Sequence, residues 1–142
     1  MSADHSLFIN CGGPATEFDD YEYEADEHLR GISNFVPSGD GKWAYSSTGV
    51  FLGNEKADYV ARNVFSLNIN GSDYYQTARI APISLKYFGF CMMKGNYKVK
   101  LHFAEIMFSD DQKFSSLGRR IFDVSIQVSN EIRIYTSFLG LV

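Results

Sequence analysis

Asn96-Tyr97-Lys98-Val99-Lys100-Leu101-His102-Phe103-Ala104-Glu105-Ile106-Met107-Phe108 is the stretch whose reading decides the fold. Tyr97, Val99, Leu101 and Phe103 alternate with Lys98, Lys100 and His102. A period of two sends one set to a core face and the other to water, which is the pattern of a half-buried strand. Glu105 to Phe108 extends the run with a less regular pattern. Downstream, Phe122, Val124, Ile126 and Val128 alternate with Asp123, Ser125 and Gln127 and predict a second one-sided strand. Strands of this kind belong to antiparallel sheets with one wet face. The fold expected is therefore all-β, an antiparallel sandwich of jelly-roll type.

Moving outward, Ser6 to Cys11 reads as a first strand stopped by Gly12-Gly13-Pro14. Tyr74 to Ile80 and Ser84 to Cys91 are further short strand candidates, and Tyr59 to Ser66 reads as either a strand or a short irregular segment. Two stretches read as loops. Glu17 to Glu27 is crowded with carboxylates and shows no helical stripe, so it is expected as a long surface loop. Asn34 to Gly53 is rich in Ser and Gly and carries Trp43 and Tyr45, expected as core or loop anchors. Ser109 to Gly118 is a polar loop. Glu131 to Tyr135 is compatible with a last strand, and Ser137 to Val142 is an apolar tail. No repeat or linker divides the chain, and 142 residues suit one domain.

The formal net charge is −4. A surface that binds phosphate backbones needs clustered Lys and Arg, and the pair Arg119-Arg120 is too small for one, so no nucleic-acid partner is expected. No apolar run is long enough to span a bilayer, and the polar start lacks the pattern of a signal peptide. Aromatic residues make up 15% of the chain, which favours strands, where rings fit a half-buried pleated surface. Cys11 and Cys91 lie too far apart for a zinc-type spacing. They are either two buried thiols or one bridge. Asn70-Gly71-Ser72 is a glycosylation sequon, meaningful on an exported chain.

Catalytic motifs are missing. There is no nucleophile elbow, and no helix opens after Gly12-Gly13 to make a phosphate cradle. His5, His28 and His102 are scattered, and His102 falls on the polar side of its strand, where a solvated histidine is expected. Glu105 with Asp110 or Asp123 would be the carboxylate pair of a glycosidase. Against this, Asp110-Asp111 read as turn residues and Asp123 points outward by alternation. The carboxylates around Asp19-Asp20 lack calcium-loop spacing and read as a solvated run. No enzyme activity, metal or cofactor is expected. Exposed Tyr and Trp on a rigid sandwich would suit a sugar, with its apolar C–H faces and hydroxyl rim.

Several motifs resemble the malectin domain. They are Ile9-Asn10-Cys11-Gly12-Gly13-Pro14, Trp43-Ala44-Tyr45-Ser46-Ser47-Thr48-Gly49, Tyr75-Gln76-Thr77-Ala78-Arg79, Gly95-Asn96-Tyr97, Leu101-His102-Phe103-Ala104-Glu105-Ile106 and Arg120-Ile121-Phe122-Asp123-Val124. The resemblance spans residues 7–128 and is strongest to the extracellular malectin domains of plant leucine-rich-repeat receptor-like kinases. Residues 129–142 depart from it, and the chain reads as an incomplete, C-terminally truncated domain.

The resemblance implies a β-sandwich, non-catalytic recognition of a carbohydrate or glycoprotein, and an extracellular or plasma-membrane setting beside other receptor ectodomains. It places the sugar-facing positions at Tyr75, Ile80, Met107 and Phe108. In the animal family member those positions are mostly aromatic. Here Phe108 keeps the match, while Ile80 and Met107 depart from it. An apolar patch of that kind also fits a protein partner, the alternative reading. The plant relatives carry Cys at both cysteine positions, which implies a Cys11–Cys91 bridge on an exported chain, with Asn70 as its glycosylation site.

Overall fold

The computed structural model describes residues 5–28, 34–52, 59–63, 74–107, 120–126, 130–136 and 140–141. Among them the regular structure is β, apart from one short 3₁₀ turn at Tyr74–Gln76. The chain is an all-β sandwich whose sheets are built mainly from antiparallel pairs.

Three strands open the chain: β1 (Ile9–Asn10), β2 (Thr16–Phe18) and β3 (Tyr21–Ala25), in the sheet order β1-β3-β2. The acidic stretch expected as a surface loop is thus a hairpin. Its turn is Asp19-Asp20, with φ of 53° and 64°. Two left-handed residues are what a tight two-residue hairpin needs, and Asp tolerates that region better than most side chains. The turn residues hide inside a run of charge, which is why the hairpin is not obvious in the sequence.

The second stretch expected as a loop also folds into strands. β4 (Phe35–Pro37) pairs with β5 (Trp43–Thr48), which pairs with β8 (Ser84–Gly89). Trp43, Ala44, Tyr45 and Ser47 are all buried, so β5 lies inside on both faces and shows no alternation. Trp43 and Tyr45 are core residues, as expected. A third sheet has the order β6-β7-β12-β9, from Val60–Arg62, Thr77–Arg79, Gly140–Leu141 and Phe103–Ala104. The apolar tail therefore supplies an inner strand. β10 (Arg120–Ile126) and β11 (Asn130–Thr136) form an antiparallel hairpin, in keeping with both strand readings there.

The deciding stretch itself is only partly a strand. The structure gives Phe103–Ala104 as β9, while residues 96–102 run without a ladder among the described residues. Tyr97, Val99 and Leu101 remain 42, 50 and 44% exposed. Alternation prepares a segment for a sheet, but a strand exists only with a partner. β12 reaches only Phe103 and Ala104.

Two apolar clusters fill the interior. One gathers Tyr23, Ala61, Tyr74, Ala78 and Ile106, and the other gathers Val36, Trp43 and Tyr45. Between them runs a polar hub that the sequence hides. Asp26, just after β3, and Arg79, the last residue of β7, are 0 and 1% exposed. Arg79 Nη2 donates to Asp26 Oδ1 at 2.7 Å, and Nε donates to Oδ2 at 3.0 Å. Gly12 N and Tyr87 Oη also donate to Oδ2, at 3.1 and 2.6 Å. Arg79 Nη1 donates to the His28 carbonyl at 2.7 Å, and the guanidinium carbon lies 4.4 Å from the Tyr45 ring centre. Such saturation is what a buried charge pair requires. The hub ties β3, β7, β5 and β8, and so three of the sheets.

Candidate functional site

Three of the positions marked as sugar-facing pack against the first apolar cluster. Tyr75, Ile80 and Met107 are each partly buried, and each packs against the group formed by Tyr23, Ala61, Tyr74, Ala78 and Ile106. Tyr75 sits in the 3₁₀ turn with φ −93° and ψ 43°. Ile80 follows β7, and its amide donates to the Tyr59 carbonyl at 3.0 Å. The Met107 amide donates to Glu105 Oε1, so Glu105 shapes the local turn after β9. Phe108 and Asn70 lie outside the described residues, as do Asp110, Asp111 and Arg119.

His102 lies beside Tyr75, a place that its position in the alternation does not indicate. It is half-buried among rings, not a solvated side chain. Tyr75 Oη and His102 Nδ1 lie 3.1 Å apart. Phe18 and Tyr74 meet the imidazole edge-on, at centroid distances of 6.2 and 5.6 Å. Phe18 in turn stacks on Tyr74 at 4.8 Å. Burial and the neighbouring Tyr23 push the Tyr75 phenol above its ordinary range, so it stays a neutral hydroxyl. The face offers flat apolar rings edged by a hydroxyl and an imidazole. Those groups bind a ligand by stacking and hydrogen bonding.

Cys11 and Cys91 are not joined. Cys11 is buried and Cys91 exposed. The Cys11 thiol faces Ile9 O at 3.8 Å, and burial raises it to about 12. The bridge implied by the resemblance is therefore not formed in this structure. Cys11 lines the polar hub, so its side chain is committed to the interior. Among the described residues no group of three His, Cys, Asp or Glu could hold a metal ion, and no helix is long and apolar enough to cross a membrane.

An all-β scaffold carrying an aromatic face defines a binding module. The chain belongs to the malectin domain family, whose model matches residues 5–136. This is a family of carbohydrate-binding-type modules, generally non-catalytic. The chain is 54% identical over 123 residues to the probable LRR receptor-like serine/threonine-protein kinase At1g53440 of Arabidopsis thaliana, covering 86% of this chain and 12% of that protein. It is 56% identical over 124 residues to At1g53430 of the same description and organism, again covering 86 and 12%. To RFK1, a further probable LRR receptor-like kinase of Arabidopsis, it is 39% identical over 126 residues, covering 85 and 12%. The chain thus spans about 12% of the length of these curated relatives. No solved structure matches it.

Proposed function

We propose that the chain is the glycan-sensing module of a plant receptor-like kinase ectodomain, working outside the cell on a cell-wall or glycoprotein carbohydrate. The observation that carries this reading is the convergence of Tyr75, Ile80 and Met107 on one cluster, beside the Tyr75–His102 pair, in a malectin domain. The ring of Tyr75 would cover a sugar C–H face, while its hydroxyl and His102 would meet sugar hydroxyls. A glycan array with the folded chain tests it. Binding that falls about tenfold or more in Tyr75→Ala, as loss of a stacked anchor implies, is expected. Folded protein that binds no glycan overturns the reading.

Ile80 and Met107 favour one alternative, a protein-docking face of a receptor ectodomain, because apolar side chains suit a protein partner. Capture of a co-receptor ectodomain that survives deglycosylation and sugar competition, and fails in Ile80→Asp, would support it.

A further inference from the structure

The contact between Tyr75 and His102 joins one imidazole to one phenol inside a group of rings. His102 is half-buried there. From β2 it meets Phe18, while Glu17 of that strand is exposed. From the 3₁₀ turn it meets Tyr74 and Tyr75, and Tyr23 of β3 stands against Tyr74 with ring centres 4.8 Å apart. On its own segment, Lys100 lies two residues before it and is exposed. Glu105 lies three residues after it and is bonded to the Met107 amide. The titratable groups that face the imidazole are therefore phenols, and burial raises those of Tyr74 and Tyr75 so that both stay neutral. Among the described residues no carboxylate forms an ion pair with His102.

That setting makes Tyr75 Oη the polar partner of Nδ1, at 3.1 Å. A neutral imidazole has one N–H and one lone pair, whereas an imidazolium has two N–H groups and no lone pair. A hydroxyl can donate or accept, so it can serve Nδ1 in either charge state. It cannot serve both in the same direction. With Nδ1 bare, the Tyr75 O–H donates to it. With Nδ1 protonated, the bond runs from Nδ1–H to Oη.

We propose that this pair is a proton-driven switch of hydrogen-bond polarity, in which His102 is a positioning residue for the Tyr75 hydroxyl. In the neutral state the imidazole proton sits on Nε2, and Tyr75 commits its O–H to Nδ1. Its oxygen then offers a ligand only lone pairs. One proton taken from solvent goes onto Nδ1, which donates it in a hydrogen bond to Oη. Tyr75 keeps its own proton and turns that O–H outward as a donor. No covalent bond other than Nδ1–H forms, and none breaks in the protein. Histidine is the side chain whose charge ordinarily changes between about pH 5 and 8, and the switch works in that window. A hydroxyl that accepts from a cation is also polarised into a better donor. For ligand binding the inference rests on the carbohydrate reading above and adds a pH dependence to it. The reversal itself does not need that reading.

NMR of the 142-residue chain, labelled with nitrogen-15 in histidine and carbon-13 at tyrosine Cζ, tests the switch without a ligand. His102→Phe identifies the His102 signals among the three histidines. On the alkaline side, Nδ1 should show the shift of a bare nitrogen and Nε2 that of an N–H. The Tyr75 Cζ signal should follow the His102 titration and lose its pH dependence in His102→Phe. A proton on Nδ1 on the alkaline side overturns the inference, because the bond then keeps one polarity throughout. A Tyr75 signal indifferent to the titration overturns it as well. Calorimetric titration with a cello-oligosaccharide reads the functional side. Affinity should rise about threefold or more from pH 8 to pH 5, the scale of one gained hydrogen bond, and should stay level in His102→Phe. If the sugar binds with level affinity in the unaltered chain, the carbohydrate reading stands and this inference falls. If no glycan binds at any pH, the carbohydrate reading falls and the NMR contrasts alone decide the switch.

Discussion

Asp26 sits within an acidic run, just before Glu27, yet is fully buried and bonded to Gly12, Arg79 and Tyr87. Burial pulls the Arg79 guanidinium down, but the hydrogen bonds and charge of Asp26 outweigh it and leave it above its ordinary value. Removing one partner strands a buried charge. Arg79→Met is therefore expected to destabilise the fold by about 3–5 kcal/mol in urea unfolding. Asp26→Leu/Arg79→Met together should cost less than the sum of the single changes, because no lone charge is left. Additive costs would show that the pair is not coupled. The thiols give a second residue-scale test. Exposed Cys91 should alkylate in native protein, while Cys11, raised to about 12 by burial, should resist until the chain unfolds. Mass spectrometry should count one adduct in native protein and a second after denaturation; none in either state would mean a bridge. Little of this hub was legible in advance. Asp26 looks like its acidic neighbours, and Arg79 stood out only through the motif that resembles the family. A salt bridge across 53 positions leaves no periodic trace in the sequence.

At the scale of elements, patterns that depend on one wet face were readable and others were not. β10 and β11 lie where their sequences indicate, since each alternates and each finds the other. β5 shows no alternation because both of its faces are covered, and charge masks the turn between β2 and β3. The opposite error occurred at residues 96–102, where alternation is clean but no ladder forms among the described residues. Hydrogen exchange separates the two cases. Amides of β5, held between β4 and β8, should be strongly protected, and those of residues 97–102 should exchange rapidly. Comparable protection would show that the run is paired. The turn after β1 has its own demand. Gly12 has φ +83°, and a Cβ there would lie 2.6 Å from the Arg79 nitrogen and 2.8 Å from the Ala78 carbonyl carbon. Neither backbone atom can yield without disturbing β7. Gly12→Ala should thus cost about 2 kcal/mol or more, from strained backbone and steric overlap together. A near-neutral effect in urea unfolding would contradict that geometry.

For the whole molecule, the hub and Trp43 join the sheets to one another. Trp43 Nε1 donates to Glu24 Oε2 at 2.7 Å, joining β5 to β3 beside the Asp26–Arg79 pair. The chain's one tryptophan therefore reports on the junction of two sheets. Its fluorescence transition should coincide with loss of β signal in circular dichroism if these sheets melt together. The same interior concentrates groups that resist losing a proton. Burial raises Cys11 from 9.0 to about 12, and it raises Tyr74 and Tyr87 above their ordinary range. The folded chain keeps these protons where the unfolded chain gives them up. Their contribution is complete below the unfolded values and is lost as pH climbs through the folded ones. Stability should accordingly decline from about pH 9 upward, and the urea midpoint should fall between neutral pH and about pH 11. Cys11→Ala removes one of these groups and should flatten the decline without abolishing it, since the tyrosines remain. A midpoint constant across that range would mean that these groups meet water in the folded state, and the packed junction between the sheets would then be wrong.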